Sequence, residues 1–276
     1  LKRQAACASH RAMFVLAMAV ASCIQPAEAS VAAYLQTLAT RGCTTREVRC
    51  DDNNEMSELT LDVKLLRERD PSLLDADVLA SLSPWVNVAS LRRLTITGLQ
   101  GKLHAGKVPT DFCRFTQLET LHLNGNGFKS VPPCLASLPL SQLALGANRL
   151  TALPAEFATM SRLRKLNLAS NAFDDLPDAI LALINLEELF FQNNRLTSLP
   201  AGINRLRKLR RLNLVGNRLA SVPEELGQVT SLEALLLDGN QLHEIPSSLK
   251  SLYWGGGLHA EGNPMEQRRA RDMQDL

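Results

Sequence analysis

The residue types that most often do chemistry in proteins are not arranged as a catalytic or metal site in this chain. Five of the 276 residues are histidines: His10, His104, His122, His243 and His259. No two of them have the H-x-x-x-H spacing, and no two cysteines have the C-x-x-C spacing, that would direct side chains at one metal ion. The chain also lacks a G-x-S-x-G elbow, a kinase signature and a dinucleotide-binding fingerprint. We therefore expect no enzyme activity, no metal site and no cofactor.

Asparagine, in contrast, recurs at a nearly constant interval. Seven asparagines are separated once by 22 residues and five times by 23 residues: Asn126, Asn148, Asn171, Asn194, Asn217, Asn240 and Asn263. Each one follows an L-x-x-L-x-L pattern by the same offset. A period of this length is typical of leucine-rich repeats. The sequence therefore predicts an α/β solenoid, a horseshoe with parallel strands on its concave face and short helical turns on its convex face.

The elements of one repeat follow from the types of residue at each position. Repeats begin at Leu91, Leu118, Leu140, Leu163, Leu186, Leu209, Leu232 and, in degraded form, Gly255. Alternation in the L-x-L segment predicts a short strand with one buried face. The proline that follows cannot donate to a sheet, so the chain turns there, and an apolar pair three residues apart suits one helical turn. Stacked repeats then bury one continuous core.

The recurring asparagine is expected to have a structural role. It comes where the strand has ended and where backbone N–H and C=O groups would otherwise be buried without partners. An asparagine amide offers both donors and an acceptor, so a stack of them would satisfy these groups. We therefore predict a structural ladder of all seven asparagines and assign none of them to a binding site.

The N-terminal residues have the pattern of a secretory leader. Lys2, Arg3 and Arg11 precede an apolar run at residues 12–20, and the small residues of Ala27-Glu28-Ala29 follow. This order of charged, apolar and cleavage regions predicts a signal peptide at residues 1–29. An alternative is open, because Val20-Ala21-Ser22-Cys23 resembles a bacterial lipoprotein signal, in which Cys23 would carry a lipid anchor.

The rest of the chain divides into four segments. Residues 30–61 are expected to form an N-terminal cap and a first strand, and residues 62–90 a helical insertion, because their apolar residues have helical spacing before Pro84. Residues 91–265 hold about eight repeats, and residues 266–276 form a charged tail. Apart from the leader, no apolar stretch is long enough to predict a transmembrane segment.

Cysteine use supports an oxidising compartment. Cleavage after Ala29 would leave four cysteines, Cys43, Cys50, Cys113 and Cys134, and an even number is usual in secreted proteins. Cys43 and Cys50 stand just ahead of the first strand, where a disulfide would close the end of the solenoid. Cys113 and Cys134 lie about one repeat apart, so their sulfur atoms could meet, although they occupy different repeat positions. Four cysteines allow three pairings, and the sequence does not select one.

Two families share motifs with different parts of the chain. The C-x6-C spacing ending in Glu47-Val48-Arg49-Cys50, between a helix at Val31–Leu38 and a strand at Leu59–Leu61, resembles the N-terminal cap of plant-type extracellular leucine-rich repeat proteins. That resemblance implies a secreted or cell-surface recognition module. The L-P-x-x-h ending of the later repeats, where h is apolar, is similar to the intracellular Ras-group proteins. It implies instead a cytoplasmic signalling scaffold.

Function is expected on the concave surface, where outward strand residues alternate with the buried leucines. Neighbouring strands lie about 4.8 Å apart, so these residues make one surface. Phe190 and Leu236 are apolar where solvent is expected, and an exposed aromatic ring inside a polar rim is typical of a protein-binding hot spot. Scattered exposed apolar residues are also normal. The predicted ligand-binding residues are His122, Asn167, Phe190, Gln192, Arg211, Asn213 and Leu236.

Charge limits the class of partner. The net charge is +2 and the isoelectric point is about 8.3, too mild to favour nucleic acid. We expect a protein, peptide or glycan ligand and a monomeric chain, either receptor-like or inhibiting an extracellular enzyme. A basic run at Arg205, Arg207, Lys208, Arg210 and Arg211 is read as a solvated face, with an acidic partner as the alternative.

Overall fold

The computed structural model describes residues 48–50, 56–62, 90–99 and 106–265. The predicted signal peptide, the cap helix and Cys43 lie outside the described residues. So do most of the predicted insertion at residues 62–90 and the whole charged tail at residues 266–276.

Ten described strands form one sheet in the order of the sequence. β1 pairs antiparallel with β2, a hairpin that the sequence analysis did not foresee, and β2 to β10 are parallel. Their bounds are β1 Val48–Cys50, β2 Met56–Asp62, β3 Arg93–Thr97, β4 Thr120–His122, β5 Gln142–Ala144, β6 Lys165–Asn167, β7 Glu188–Phe190, β8 Arg211–Asn213, β9 Ala234–Leu236 and β10 Leu258–His259.

The opposite side of the solenoid is made of single helical turns that follow the repeated prolines. Among the described residues, six are 3-10 turns: Thr110–Arg114, Pro133–Ser137, Ala155–Thr159, Ala201–Arg205, Glu224–Gln228 and Ser247–Leu249. Two are short α-helices, α1 at Asp178–Leu181 and α2 at Lys250–Trp254. Because each 3-10 turn contributes a buried apolar residue, such as Phe157 or Ile203, it closes the core from the convex side. The predicted α/β solenoid is confirmed.

The core is one continuous column of leucine and phenylalanine. In the middle of β6, β7 and β8, the side chains of Leu166, Leu189 and Leu212 are completely buried, whereas the residues on either side of each are partly or fully exposed. Phe173 and Phe191, from adjacent repeats, pack with their ring centroids 5.1 Å apart. The alternation of burial along each strand therefore divides the sheet into a core side and a concave side.

The asparagine ladder links successive repeats by hydrogen bonds. Asn194 is typical: its Oδ1 atom accepts from the Phe173 backbone N–H at 3.2 Å, and its Nδ2 atom donates to the carbonyl oxygens of Leu168 and Phe191, both at 3.0 Å. All seven asparagines accept from a backbone N–H and donate to a carbonyl of the preceding repeat. The ladder thus satisfies backbone groups that the bend after each strand leaves without a sheet partner.

The residue before each ladder position has a left-handed backbone. Its φ angle is positive in all seven repeats of the ladder, at Gly125, Ala147, Ser170, Asn193, Gly216, Gly239 and Gly262, and also at Gly98, which has the equivalent position before Leu99 in the preceding repeat. Five of these residues are glycines, which adopt this conformation without steric strain, and three are not. The bend is therefore imposed by the stacking of the repeats even where the local residue disfavours it.

A disulfide joins two neighbouring turns on the convex side. Cys113 of the turn Thr110–Arg114 is bonded to Cys134 of the turn Pro133–Ser137. Their positions differ when counted from the start of each repeat, because the repeat beginning at Leu91 is longer. Cys113 lies five residues before the next repeat start at Leu118, and Cys134 lies six residues before the next one at Leu140. Because these two positions differ by only one residue, the two thiols meet.

Candidate functional site

The parallel register stacks the outward strand residues into three columns on the concave face. The first column is Glu58, Arg93, Thr120, Gln142, Lys165, Glu188, Arg211 and Ala234. The central column is Thr60, Thr95, His122, Ala144, Asn167, Phe190, Asn213, Leu236 and His259. The third column, two residues further along each chain, is Thr97, Asn124, Gly146, Ala169, Gln192, Val215, Asp238 and Glu261.

Six of the seven predicted ligand-binding residues lie on four adjacent strands. Asn167, Phe190, Asn213 and Leu236 are neighbours in the central column. Gln192 follows β7 in the third column, and Arg211 begins β8 in the first column. His122 is apart from this group, because β5 separates its strand from β6. Whether these residues contact a ligand stays a prediction.

Phe190 and Leu236 are half-buried, so the expectation of fully exposed side chains at these positions was wrong. The Nζ atom of Lys165 lies 5.2 Å from the centroid of the Phe190 ring, and it also forms an ion pair with Glu188 at 2.8 Å. Diagonal neighbours on the sheet therefore cover part of the ring. In the part of the chain whose burial is described, the one large hydrophobic side chain that is exposed is Ile184, at 58%. It follows α1, away from the three columns.

Asparagines of the concave face accept hydrogen bonds from backbone N–H groups. The Oδ1 atoms of Asn167 and Asn213 accept from the N–H groups of Ala169 and Val215, at 3.0 and 3.1 Å. Asn124 accepts from the N–H of Gly146 in the next repeat at 2.7 Å. Because the oxygen of each amide is occupied, its nitrogen is the end left to donate to a ligand.

Gln192 has a buried acceptor without a partner. Its Oε1 atom is inaccessible to solvent and accepts no hydrogen bond from any residue that the structure describes. An unsatisfied buried acceptor costs about 1–3 kcal/mol.

His122 lies in a cationic environment. Burial lowers the pKa of its imidazole, and the charges of Arg93 and Lys165 lower that pKa further. Arg93 is paired with Glu58 at 3.3 Å, on the strand beyond it. Neutral histidine is therefore favoured near neutral pH, with one ring nitrogen as donor and the other as acceptor.

Sequence reasoning missed a floor of small residues beside His122. Ala144, Gly146 and Ala169 are buried although they belong to the outward columns, and the Oδ1 atoms of Asn124 and Asn167 stand over Gly146 in this floor. Its signal was present in the sequence, as three small residues at outward positions of two successive repeats.

Some side chains of the basic run are paired with neighbouring residues, and others are exposed to solvent. Arg210 pairs with Glu233 at 2.7 Å, which raises the pKa of its guanidinium, and Lys208 donates to Asn185 at 2.7 Å. Arg205 and Arg207 are exposed. Arg92 pairs with Glu119, and Arg164 with Glu187, at the position equivalent to Arg210. Much of the run therefore belongs to a column of exposed ion pairs between repeats.

Two recesses among the described residues contain none of the predicted ligand-binding residues. Two open grooves of about 430 and 400 Å³ lie beside the convex turns, one lined by residues 107–111 and 130–133 and one by residues 151–155 and 174–179. Across the described ranges, no three histidine, cysteine, aspartate or glutamate side chains are grouped to hold a metal ion. Within the same ranges, no helix has the length and apolar character to cross a membrane.

Comparison with known proteins agrees with the repeat architecture. A leucine-rich repeat model matches residues 116–173, 139–196, 161–219 and 184–242. No curated protein matches the chain. A solved leucine-rich repeat protein of Leptospira interrogans is similar, with a TM-score of 0.59 and 24% identity over 75% of this chain and 55% of that one.

Two further solved structures have related folds. The PEPR1-AtPEP1 structure has a TM-score of 0.53 and 26% identity, covering 72% of this chain and 27% of that one. An internalin, InlF, of Listeria monocytogenes has a TM-score of 0.51 and 25% identity, covering 66% and 51%. This chain thus spans between 27% and 55% of the length of the three structures. The stacked sheet, its asparagine ladder and the matched repeats identify the chain as a leucine-rich repeat protein.

Proposed function

We propose that this chain is a secreted or cell-surface recognition module that binds a protein, peptide or glycan ligand on its concave face. The observation that carries the proposal is the contrast on β6 to β9, where half-buried Phe190 and Leu236 alternate with the fixed amides of Asn167 and Asn213. Apolar surface beside oriented polar groups is the composition of a binding hot spot.

Two further features support binding at this place. Gln192 lies next to Phe190 on the same side of the strand, and its amide group can both donate and accept hydrogen bonds. Arg211, which is exposed at the edge of the same group, offers a charged donor. PEPR1-AtPEP1 is one of the similar structures, and a peptide is the class of ligand that we test first.

The proposal is tested by selecting ligands and then asking which face they need. Short random peptides, displayed without a free C-terminus, are selected on the wild-type protein. Binding of the selected peptides is then measured on two variants, Phe190→Arg on the concave face and Ile184→Arg outside it. Both replace an apolar side chain by arginine, so they differ mainly in location.

We expect Phe190→Arg to weaken binding at least tenfold, because a central hot-spot residue contributes about 2 kcal/mol or more. Ile184→Arg should leave binding unchanged. Equal binding of the selected peptides to both variants would overturn the concave site.

Secretion is proposed on separate grounds. The Cys113–Cys134 disulfide supports an oxidising compartment, since disulfides rarely persist in the cytosol. The alternatives are a lipid anchor at Cys23 and a cytoplasmic scaffold, which the L-P-x-x-h repeats favour. Mass spectrometry of the native protein distinguishes them. An N-terminus near Ser30 with a Cys43–Cys50 bridge supports secretion, a lipidated Cys23 supports the anchor, and a retained leader with reduced cysteines supports the scaffold.

A further inference from the structure

We propose that the convex face around α1 pairs with the same face of a second copy of this chain, in a dimer with two-fold symmetry. The proposal does not depend on the ligand site, because the convex turns lie on the side of the solenoid opposite to the concave columns. The dimer differs from the monomer expected from the sequence, because the sequence does not show which charged side chains are left without a partner.

The first observation is an exposed isoleucine on this face. Ile184 is 58% exposed, and in the part of the chain whose burial is described it is the one large hydrophobic side chain in that state. Its equivalents in the repeats on either side are Ser161 and Arg207, each two residues before the start of the next repeat. Covering an aliphatic side chain removes apolar surface from water, so a partner that contacts Ile184 is stabilised there.

Cations stand beside Ile184 on both neighbouring repeats. They are exposed side chains at the ends of the convex turns, and we call them the basic edge: Arg162, Arg205, Arg207 and Lys208. Within the described ranges none of them pairs with a carboxylate, whereas Arg164 and Arg210 nearby are both paired. Lys208 donates to the neutral amide of Asn185 at 2.7 Å, so its charge is not neutralised either.

Carboxylates stand at the other side of the same face. They lie before the convex turns or in their first residues, and we call them the acidic edge: Glu156, Asp174, Asp175 and Asp178. All four are exposed, and none pairs with a cation of any described residue. The three aspartates line the open groove of about 400 Å³ beside α1. Because α1 lies between Asp178 and Ile184, the two edges are held apart within one chain.

Two-fold symmetry brings these edges together between chains. An axis normal to the convex face exchanges the two sides of that face by half a turn. The acidic edge of each copy then lies over the basic edge of the other, and every charge contact occurs twice, as in any isologous interface. Arginine and carboxylate groups form strong, often bidentate, pairs, and three of the four cations are arginines.

The beginnings of the neighbouring turns offer a place for Ile184. Ala155 and Ala201 begin the turns on either side of α1, and Ala182 follows α1; all three are exposed. The same rotation places Ile184 of each copy near the beginnings of the partner's turns, where it meets small side chains. Because two convex faces curve away from each other, contact is confined to a few repeats. We therefore expect a dimer at the weak end of protein interfaces.

The test measures the mass of the full chain in solution by sedimentation, over a wide range of protein concentration. We expect wild type to show a reversible equilibrium between monomer and dimer. High salt should weaken it, because exposed charges are screened. Ile184→Asn should weaken the dimer several-fold, and Phe190→Arg, on the concave face, should leave it unchanged.

Charge reversal tests the two edges and their symmetry. Arg205→Glu/Arg207→Glu places carboxylates opposite the acidic edge, and Asp175→Lys/Asp178→Lys places cations opposite the basic edge. Each double variant alone should weaken dimerisation by about tenfold or more, since like charges then face each other twice. An equimolar mixture of the two should restore the dimer, because each reversed edge then faces a complementary edge.

A matched control separates this effect from the net charge. Arg195→Glu/Arg218→Glu reverses two exposed arginines on the flank, which have no partner among the described residues, and it changes the net charge by the same amount as reversal of the basic edge. Alone, it should dimerise like wild type. Its mixture with Asp175→Lys/Asp178→Lys has the same two net charges as the restoring mixture, but it should associate less than that mixture.

Other results would overturn the proposal. Wild type that stays monomeric at every concentration would do so, and so would a dimer that tolerates both edge reversals. Larger assemblies that grow with concentration would show head-to-tail contact in place of a two-fold axis. A monomer that binds phosphatidylserine vesicles, and loses this binding in Arg205→Glu/Arg207→Glu, would assign the basic edge to an anionic membrane instead.

Discussion

The asparagine ladder and the concave columns use the same repeats for opposite purposes. In the ladder, asparagine recurs in seven repeats. Each time it bonds to backbone groups at the equivalent positions of its own and the preceding repeat. In the central column, the equivalent positions hold threonine, histidine, alanine, asparagine, phenylalanine and leucine. The ladder must satisfy the same backbone groups in every repeat, whereas the column is free to differ, so position-specific chemistry belongs to the concave face.

The largest expected difference in stability is between alanine variants of two neighbouring phenylalanines. Phe191 is completely buried against Phe173, so Phe191→Ala should lower the free energy of unfolding by about 3–5 kcal/mol. Phe190 is half-buried and has Lys165 over its ring, so Phe190→Ala should cost about 1 kcal/mol. Denaturant unfolding of both variants measures the difference. Equal losses would mean that the strand does not divide core from surface in this way.

Two asparagines provide the next comparison. Asn194→Ala leaves a buried backbone N–H and buried carbonyls without their partner and should cost about 3 kcal/mol. Asn167→Ala removes one hydrogen bond in the central column of the concave face and should cost about 1 kcal/mol. Thermal and denaturant unfolding of the pair test this order. A greater loss at Asn167 would contradict the structural role of the ladder.

Substitutions at the left-handed position before the ladder should change stability by a smaller amount, and the sign should depend on whether glycine is removed or introduced. Gly239 has a φ of 65°, and an added Cβ meets no atom closer than 3.8 Å, so Gly239→Ala should cost about 1–2 kcal/mol from backbone strain alone. Ala147 has a φ of 52° at the equivalent position, so Ala147→Gly should stabilise by up to about 1 kcal/mol. Changes in unfolding free energy, relative to wild type, that have the same sign for both variants would contradict this account.

The smallest effect is the pH dependence contributed by His122. Its pKa is lower in the folded protein than in the unfolded chain, so the unfolded chain binds this proton first as pH falls. Stability from this residue is complete above the unfolded pKa of about 6.5 and decreases between that value and the folded pKa. His122→Gln should make the melting temperature less dependent on pH in this window. If the melting temperature of the variant fell more steeply with decreasing pH than that of wild type, the predicted sign would be wrong.

The fold was predictable because its main determinants repeat. The interval between Asn126 and Asn263 gave the number and register of the repeats, and alternation around Leu189 gave the buried side of the strand. The left-handed position was not evident, since Ala147, Ser170 and Asn193 interrupt its glycines. There the stacked repeats impose a conformation that these residues do not themselves favour.

Site geometry was less predictable, because it depends on contacts between repeats. The partial cover of Phe190 comes from Lys165, a diagonal neighbour 25 residues earlier in the chain. The small residues Ala144 and Gly146 are covered by Asn124 and Asn167 from the neighbouring repeats, a contact that depends on the stacking of the repeats. Similarly, the proximity of Cys113 and Cys134 depended on where the extra residues of the long repeat are placed.

Hydroxyl-radical footprinting tests the division between the two faces most directly, because it reports the exposure of individual side chains without a mutation. We predict that Phe190 and Leu236 are oxidised in the free protein, that Phe191 and Leu237 are protected, and that a selected peptide protects Phe190 and Leu236 as well. Oxidation of Phe191 and Leu237 in the folded protein, with Phe190 and Leu236 protected before any ligand is added, would contradict the account.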